Sequence, residues 1–275
     1  MSSRTIDQLS GALVRMVRLG VFLFLMMPLA FVVVMSINPR PELFPPPAIT
    51  PVWYQSFLSR PDFRGGLFVS VLLGLSVTAA AVTVGTLCAF PLARIRFKGT
   101  SLLSAIFLSP LAVPQIASAV ALLNFFVFVG VISRRFEVLL IAHTIIALPY
   151  VIRVVTGSLI GFDRSLEEAS LNLGASTTQT LLRITLPLIK PGLLAGAFFA
   201  FQASFSNVTV SAFLASAEVT PLPVVLFSWM RFTFDPSLAA ISTLLMTFTT
   251  SVIFLLERIL GLERLIGVAG GIRSI

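Results

Sequence analysis

The stretch "EEASLNLGASTTQTLLRITLP", residues Glu167 to Pro187, is a polar segment inside a chain that is otherwise strongly apolar. We call this segment the polar island. Of the 275 residues, 57% are hydrophobic and only 11% are charged, which is about half the charge of an average soluble domain. The composition therefore predicts an integral membrane protein, in which the island has to be explained as an exception.

On both sides of the island the chain consists of apolar runs long enough to cross a bilayer. A hydrocarbon core of about 30 Å requires about 20 helical residues, and a helix satisfies its own backbone polar groups in lipid. We therefore expect an all-α membrane protein, one transmembrane domain over residues 1–275, with six transmembrane helices. The expected spans are 17–37, 67–93, 102–132, 138–159, 191–214 and 238–256. The third contains Pro110 and Pro114, which predict a kink or a break.

The distribution of Lys and Arg predicts the orientation. Thirteen of the 19 Lys and Arg residues fall on the side of the amino terminus, and such an excess marks the cytoplasmic side. Both termini and the loop 160–190, which contains the island, are then cytoplasmic. Residues 38–66 form a periplasmic loop with a short surface helix, and its Trp53 and Tyr54 suit a membrane interface. The pair Arg134 and Arg135, in an outer turn, departs from the rule locally.

The first half of the island carries signals for a short helix. Ser165 followed by Glu168 matches the S-x-x-E capping box, so a helix is expected to begin near Leu166. Gly174 is the residue best suited to the left-handed conformation that ends a helix. These signals predict one short helix that ends in a glycine turn.

The second half repeats the pattern. Ser176 and Gln179 form an S-x-x-Q box that predicts a second helix, which should stop before Pro187 because proline disfavours helix in the preceding residue. A solvated loop and a pair of amphipathic helices on the membrane surface are both alternatives. However, a loop requires neither two capping signals nor the small residues Ala169 and Gly174, so a docking element is the sharper hypothesis.

The island also resembles a known family. Its residues fit the pattern E-A-A, three residues, G, nine residues, I-x-L-P of the membrane subunits of binding-protein-dependent ABC importers, with Ser170 in place of the second alanine. The matching residues are Glu168, Ala169, Gly174, Ile184, Leu186 and Pro187. The stretches "LSPLAVPQIASAVALL", "LIAHTIIALPYVIRVV" and "ITPVWYQSFLSRPDF" resemble spermidine/putrescine-type permeases. The resemblance covers nearly the whole chain after the first helix.

The resemblance implies the fold and the partners. It implies the type I permease fold of ABC importers in the bacterial inner membrane, where this chain is a translocation subunit and not an enzyme. The implied partners are a cytoplasmic ATPase dimer, a second related permease, hetero- or homodimeric, a periplasmic substrate-binding protein and the lipid bilayer, but no nucleic acid. The chain has no G-x-x-x-x-G-K-[ST] phosphate loop, so ATP and Mg²⁺ would be bound by the ATPase and no cofactor by this chain.

In the family, the island is the coupling helix that sits in a groove of the ATPase. Movement of the ATPases then reaches the membrane helices, and alternating access carries a solute from the binding protein into the cytoplasm. The residues implied in coupling are Glu167, Glu168, Ala169, Gly174, Ala175, Ile184, Leu186 and Pro187.

Candidates for the substrate pathway are polar residues of the third and fifth runs: Gln115, Asn124, Gln202, Ser204, Ser206, Asn207 and Thr209. Hydrogen bonds between helices are the alternative role for each. No acidic residue falls in the middle of a run, and Ser206 and Asn207 stand where polyamine permeases carry an acidic pair.

This absence of acids bears on the solute. A dication needs compensating carboxylates once it leaves water, so we expect a neutral, zwitterionic or anionic solute, such as an amino-acid derivative, an opine or an aminoalkylphosphonate. The alternative is a polyamine whose charge is balanced by the partner permease.

Two further residues and a rival function complete the interpretation. His143 is the only histidine, and we expect a structural hydrogen bond rather than a proton relay, since no acid lies near it in its run. Cys88 is expected to be a small core residue. The rival is a secondary transporter that works without an ATPase, but the chain shows neither a clear internal repeat nor a buried acid.

Overall fold

A computed structural model describes residues 3–40, 42–95, 98–232 and 235–260. Every secondary-structure element in this part of the chain is a helix, which confirms the all-α prediction. Before the island lie α1 Ser3–Ser36, α2 Val52–Ser59, α3 Pro61–Arg94, α4 Thr100–Ala112, α5 Gln115–Val129 and α6 Arg135–Gly161. From the island onward lie α7 Ser165–Asn172, α8 Thr177–Thr180, a π-helical turn Leu181–Thr185, α9 Leu186–Leu188, α10 Lys190–Phe205, α11 Thr209–Leu214, α12 Leu222–Phe232 and α13 Ser237–Leu260. The extreme termini, 1–2 and 261–275, lie outside the described residues.

The apolar runs of the sequence become helices of spanning length. Among the described residues, four helices are long and apolar enough to cross a membrane alone: Leu13–Ser36, Pro61–Arg94, Arg135–Gly161 and Ser237–Arg258. Two bent helix pairs raise the number to six if each pair is one span. The second run is longer at its start than expected, because α3 begins at Pro61, where proline is tolerated in a first helical turn.

The third run is broken at its second proline. The helices α4 and α5 meet at an angle of 103°, with Val113 in an extended conformation and Pro114 as the N-cap of α5. Pro110 lies inside α4. The break expected from the two prolines is therefore real, and it lies at Val113 and Pro114.

The fifth run, expected as one span over residues 191–214, contains a break that the sequence did not predict. The helix α10 ends at Phe205, and α11 begins only at Thr209. The side-chain oxygen of Asn207 accepts a hydrogen bond of 2.9 Å from the N–H of Val210. An asparagine that caps the backbone in this way starts a new helix instead of continuing the old one.

The chain divides into two compact units. In the unit formed by residues 1–61 and 229–253, the external loop is fastened to the end of α1. The Trp53 indole donates to the carbonyl oxygen of Asn38 at 2.8 Å, and the Tyr54 hydroxyl lies 2.7 Å from Ser36 Oγ. The predicted short helix of this loop is α2, and the placement of its aromatic residues at a membrane interface stays a prediction.

The same unit contains an ion pair. Arg60 Nη2 lies 3.0 Å from Asp235 Oδ2, and the guanidinium stacks 3.9 Å from the centre of the Trp229 ring. Burial alone would raise the pKa of Asp235, but hydrogen bonds from the Ser237 backbone and hydroxyl, together with the charge of Arg60, hold that pKa below its usual value.

The other unit, residues 62–228 and 254–275, contains the main core. The helix α6 packs against α10 along its length, and side chains of α3, α5 and α11 complete the buried cluster. Close approach depends on small residues, as is common in membrane helix packing. A Cβ on Gly85 of α3 would lie 2.8 Å from Val151 Cγ1 of α6, and one on Gly192 of α10 would overlap Ser158 of α6. At these two glycines the helices are so close together that no larger side chain would fit.

Candidate functional site

The first helix of the polar island, α7, begins one residue earlier than predicted and with a different cap. Ser165 is already helical, and the N-cap residue Arg164 makes no side-chain cap. Instead, the carboxylate of Asp163 accepts a 2.9 Å hydrogen bond from the N–H of Ser165. That bond, together with one from the Ser165 hydroxyl, lowers the pKa of Asp163. The predicted box of Ser165 and Glu168 is therefore wrong, because a carboxylate two residues upstream takes its place.

The turn after α7 follows the prediction. Gly174 has a φ of +87°, which glycine tolerates without strain. The N–H of Gly174 donates to the oxygen of Leu171, and the N–H of Ala175 reaches back to the oxygen of Ser170. This pair of bonds is the Schellman motif that closes a helix. No heavy atom lies within 4 Å of a Cβ placed on Gly174, so the turn is open to its surroundings.

The second half begins as predicted but ends differently. Ser176 and Gln179 form both bonds of a capping box. The helix then widens into the π-helical turn, where the N–H of Leu186 donates to the oxygen of Leu181, five residues back. It continues through Pro187 to Leu188. The predicted stop before Pro187 is therefore wrong. A widened turn moves backbone carbonyls away from the proline ring, which a regular helix could not do.

The two halves of the island are joined by polar side chains. Ser170, the residue that departs from the family pattern, places its hydroxyl 3.0 Å from Thr180 Oγ1. Glu167 Oε1 accepts hydrogen bonds from Thr185 Oγ1 at 2.6 Å and from Arg94 Nη2 at 2.8 Å. Glu167 thus contacts the chain itself, although the sequence placed it with the ATPase-coupling residues. No local signal could reveal this, since Arg94 lies 73 residues away.

The other predicted coupling residues divide between surface and core. Leu186 packs against the buried cluster. Exposed are Glu168, Ala169, Gly174 and Pro187, whereas Ala175, Ile184 and Leu186 are half-buried. Within the described residues the side chain of Glu168 makes no hydrogen bond or ion pair, unlike that of its neighbour Glu167. Glu168 is therefore available to a partner.

Apolar side chains also cover the outside of the island, a feature that the capping and motif patterns do not predict. Leu173, immediately before the glycine turn, is 88% exposed, Leu182 is 58% exposed and Leu171 is 45% exposed. Exposed leucines on an otherwise polar segment indicate a surface for contact with protein or membrane.

The polar residues predicted for the pathway have different surroundings. Ser204 is buried, and its Oγ lies 2.9 Å from His143 Nδ1, while Ser211 Oγ lies 3.1 Å from His143 Nε2. The structural hydrogen bond expected for His143 is thus confirmed, and both ring nitrogens make one. Asn207 is also buried, and its side-chain oxygen accepts from the N–H of Val210 in the first turn of α11. Ser204 and Asn207 therefore make structural hydrogen bonds, which was the alternative to a place on the substrate pathway.

The remaining pathway candidates are more accessible. Ser206 is exposed, but its hydroxyl donates to the oxygen of Gln202 in the last turn of α10. Gln202 and Thr209 are half-buried, and both lie close in sequence to the break after α10. Gln115 and Asn124 are on α5, and both are exposed. The structure thus brings Gln202, Ser206 and Thr209 to one break and leaves Gln115 and Asn124 on another helix.

Comparison with known proteins identifies the family of this chain. Residues 81–261 match the family described as "binding-protein-dependent transport system inner membrane component". The spermidine/putrescine transport system permease protein PotC of Haemophilus influenzae is 32% identical over 207 residues, which cover 75% of this chain and 80% of that protein. The putrescine transport system permease protein PotI of Escherichia coli K12 is 28% identical over 231 residues, 82% of each chain.

Solved structures agree on the fold. A bacterial ABC transporter involved in the import of the acidic polysaccharide alginate has a TM-score of 0.68 at 20% identity, over 100% of this chain and 99% of that chain. The MetNI methionine ABC transporter has a TM-score of 0.58 at 19% identity, over 71% of this chain and 93% of that chain. These likenesses confirm an importer permease fold. Together with the family match, they make this chain a non-catalytic, multi-pass protein of the inner membrane. The chain belongs to the binding-protein-dependent transport system inner membrane components, in the branch of the spermidine/putrescine-type permeases.

Proposed function

We propose that this chain is the translocation subunit of an ATP-driven importer and that its polar island binds a separate ATPase. The exposed leucines of the island carry this proposal. Leu173 and Leu182 are more than half exposed on a segment whose charge and capping pattern place it outside the bilayer. An ATPase surface that covers them removes apolar area from water, and Glu168 beside them supplies a charge for a basic partner.

The proposed working cycle is alternating access. A loaded binding protein docks on the outer loops, ATP binding closes the ATPase pair and opens the pathway outward, and hydrolysis resets it inward. In this arrangement both termini and the island are cytoplasmic, as the Lys and Arg distribution favours. ATP and Mg²⁺ belong to the ATPase, since this chain has no phosphate loop.

A second permease would complete the pathway. The two broken runs support this, because irregular backbone at membrane depth is tolerated only against protein or a water-filled cavity. The break after α10 carries Gln202, Ser206 and Thr209, and α5 carries Asn124. We place these residues on the pathway or on the contact with the second permease.

For the solute we propose a small organic molecule that is zwitterionic, neutral or anionic, such as an amino-acid-like compound, an opine or an aminoalkylphosphonate. Every acidic residue that the structure describes lies between helices, in the end turns of a spanning helix or in the island. A second candidate is a polyamine, because the relatives are named for spermidine and putrescine. The partner permease would then balance its charge.

Mass spectrometry of the molecule that copurifies with the binding protein separates these solutes. A molecule with no more than one net positive charge is expected. A bound polyamine would overturn the first candidate and support the second.

Cross-linking tests the proposed contact with the ATPase. Cys88 is the only cysteine, so a Cys88→Ser background allows one thiol to be placed at will. With a short thiol-to-amine cross-linker, Leu173→Cys should join this chain to the ATPase in membranes that contain the assembled transporter. The matched control is Ile49→Cys, which is 79% exposed in the proposed periplasmic loop and should give no such product.

Two outcomes contradict the proposal. One is the absence of a product from Leu173→Cys although the ATPase copurifies with the chain. The other is an equal yield of product from both positions.

A further inference from the structure

The two neighbouring acids of the island have different surroundings. Glu168 is exposed, whereas the side chain of Glu167 is only 18% exposed. Its Oε1 atom receives both Arg94 Nη2 and Thr185 Oγ1, at 2.8 and 2.6 Å. We call Arg94, Glu167 and Thr185 the Glu167 junction.

The junction connects three separate elements. Arg94 is the last residue of α3, Glu167 lies in the first turn of α7, and Thr185 closes the π-helical turn. A single carboxylate oxygen therefore joins a membrane-spanning helix to both halves of the island. Its bonds are short, and hydrogen bonds to a charged group are stronger than neutral ones.

The Arg94 side chain is held from two sides. It is 14% exposed, and its guanidinium lies 4.8 Å from the centre of the Phe162 ring, between α6 and α7. Its Nη1 atom is buried without a hydrogen-bond partner among the described residues. A partly buried ion pair is screened less by salt than a surface pair, and Glu167 is the only acid paired with this cation in the part of the chain described.

Beyond Arg94, α3 can carry a displacement into the membrane. At Gly85 it approaches α6 so closely that a Cβ would lie 2.8 Å from Val151 Cγ1, and at Gly74 it approaches Phe201 of α10 equally closely. Packed helices in contact move together or switch between discrete packings, since a dense interior does not deform gradually. A pull on Arg94 therefore reaches the helices of the main core.

From this geometry we infer that Glu167 is a positioning residue that passes movement of the island to α3 through Arg94, while Glu168 faces the ATPase. This inference rests on the proposed function, in which the ATPase moves the island. It assigns different roles to Glu167 and Glu168, two consecutive acids that the sequence alone does not distinguish. It also gives a mechanical role to Thr185, the unspecified position of I-x-L-P, which the π-helical turn brings to Glu167.

The test uses the complete transporter in nanodiscs, with its ATPase, partner permease and binding protein loaded with the solute that copurifies with it. Glu167→Gln keeps the shape of the side chain but removes its charge, and Arg94→Gln removes the other half of the pair. Both variants should retain the ATPase at wild-type stoichiometry and keep its basal hydrolysis. Stimulation of hydrolysis by the binding protein should fall about tenfold, within the usual range for coupling between sites.

Two further variants separate mechanical coupling from stability and from docking. The reversed pair Arg94→Glu with Glu167→Arg restores the attraction, so it should recover most of the stimulation that either single variant loses. Glu168→Gln is the matched control for docking, and it should instead weaken retention of the ATPase at low ionic strength, where an exposed charge contact contributes most.

The inference is overturned if Glu167→Gln keeps stimulation within twofold of wild type. It is also overturned if the variant loses the ATPase as readily as Glu168→Gln does. If a single variant fails to insert, the reversed pair decides: an assembled but uncoupled complex contradicts the inference, and a coupled one supports it. Failure of the proposed function looks different, because the Leu173→Cys chain would then give no cross-link and the wild-type chain would have no ATPase to stimulate.

Discussion

His143 joins three helices through its two ring nitrogens. It projects from α6, and its partners Ser204 and Ser211 lie in α10 and α11, on opposite sides of the break at residues 206–208. A neutral imidazole donates through one nitrogen and accepts at the other, and a serine hydroxyl can serve either. His143 therefore holds the two halves of the broken run against α6. The sequence predicted a structural hydrogen bond here, but it could not show that the bond bridges a break.

Replacing His143 should lower stability. His143→Phe fills similar space but removes both bonds and leaves two buried hydroxyls without partners, at a cost of about 1–3 kcal/mol. The midpoint of thermal unfolding in detergent should fall by several degrees. The triple variant with Ser204→Ala and Ser211→Ala should recover part of this loss, because no polar group is then left stranded. A His143→Phe chain as stable as wild type contradicts the bridging role.

Glu167 and Glu168 show where residue-level prediction fails. A capping and dipole argument treats both acids of a first helical turn alike. Which one turns inward depends on Arg94, at the end of a helix that is distant in sequence, and on the phase of α7 relative to the core. Long-range pairs of this kind leave no trace in a local pattern. The same is true of Arg60 and Asp235, which are 175 residues apart.

At the scale of elements, local signals were correct where a stretch of sequence carries a single capping or turn pattern. The capping box of Ser176 and the glycine turn at Gly174 both form, because each depends on a few residues adjacent in the chain. At the start of α7 two patterns overlap, D-x-S from Asp163 and S-x-x-E from Ser165, and the carboxylate provides the stronger cap.

Breaks within the apolar runs were predicted only where proline marks them. The third run is broken at Pro114, one of the two prolines that predicted a kink or a break. The fifth run contains no proline between Gly192 and Leu214, and its break depends on Asn207, whose side-chain oxygen accepts from the N–H of Val210 in the first turn of α11. The reverse holds at Pro187, where a proline was expected to stop a helix and a π-helical turn carries the helix through. Proline and asparagine therefore favour a helix break, but the tertiary structure decides whether the break occurs.

At the scale of the whole molecule, composition and periodicity were sufficient for the class of protein. Apolar runs of about 20 residues have few alternatives in a bilayer, so the all-α membrane class follows from the sequence. The importer family follows from the spacing of the island motif, and the family match confirms it. The solute does not follow from this chain, because polar side chains at the breaks serve packing and capping as well as any pathway.

The energy source of transport is the property that most directly distinguishes an ATP-driven importer from a secondary transporter. Both classes have apolar spans and broken helices, and they differ in what drives the cycle. In the proposed importer, the work enters through the polar island from a separate ATPase.

The deciding measurement is uptake into proteoliposomes that contain this chain, its partner permease and its ATPase. The binding protein is added outside, loaded with a radiolabelled form of the solute that copurifies with it. Uptake should require ATP inside the vesicles, persist when ionophores collapse all ion gradients, and disappear with Glu168→Arg in the island. Uptake without ATP that follows an imposed ion gradient would contradict the ATP-driven mechanism.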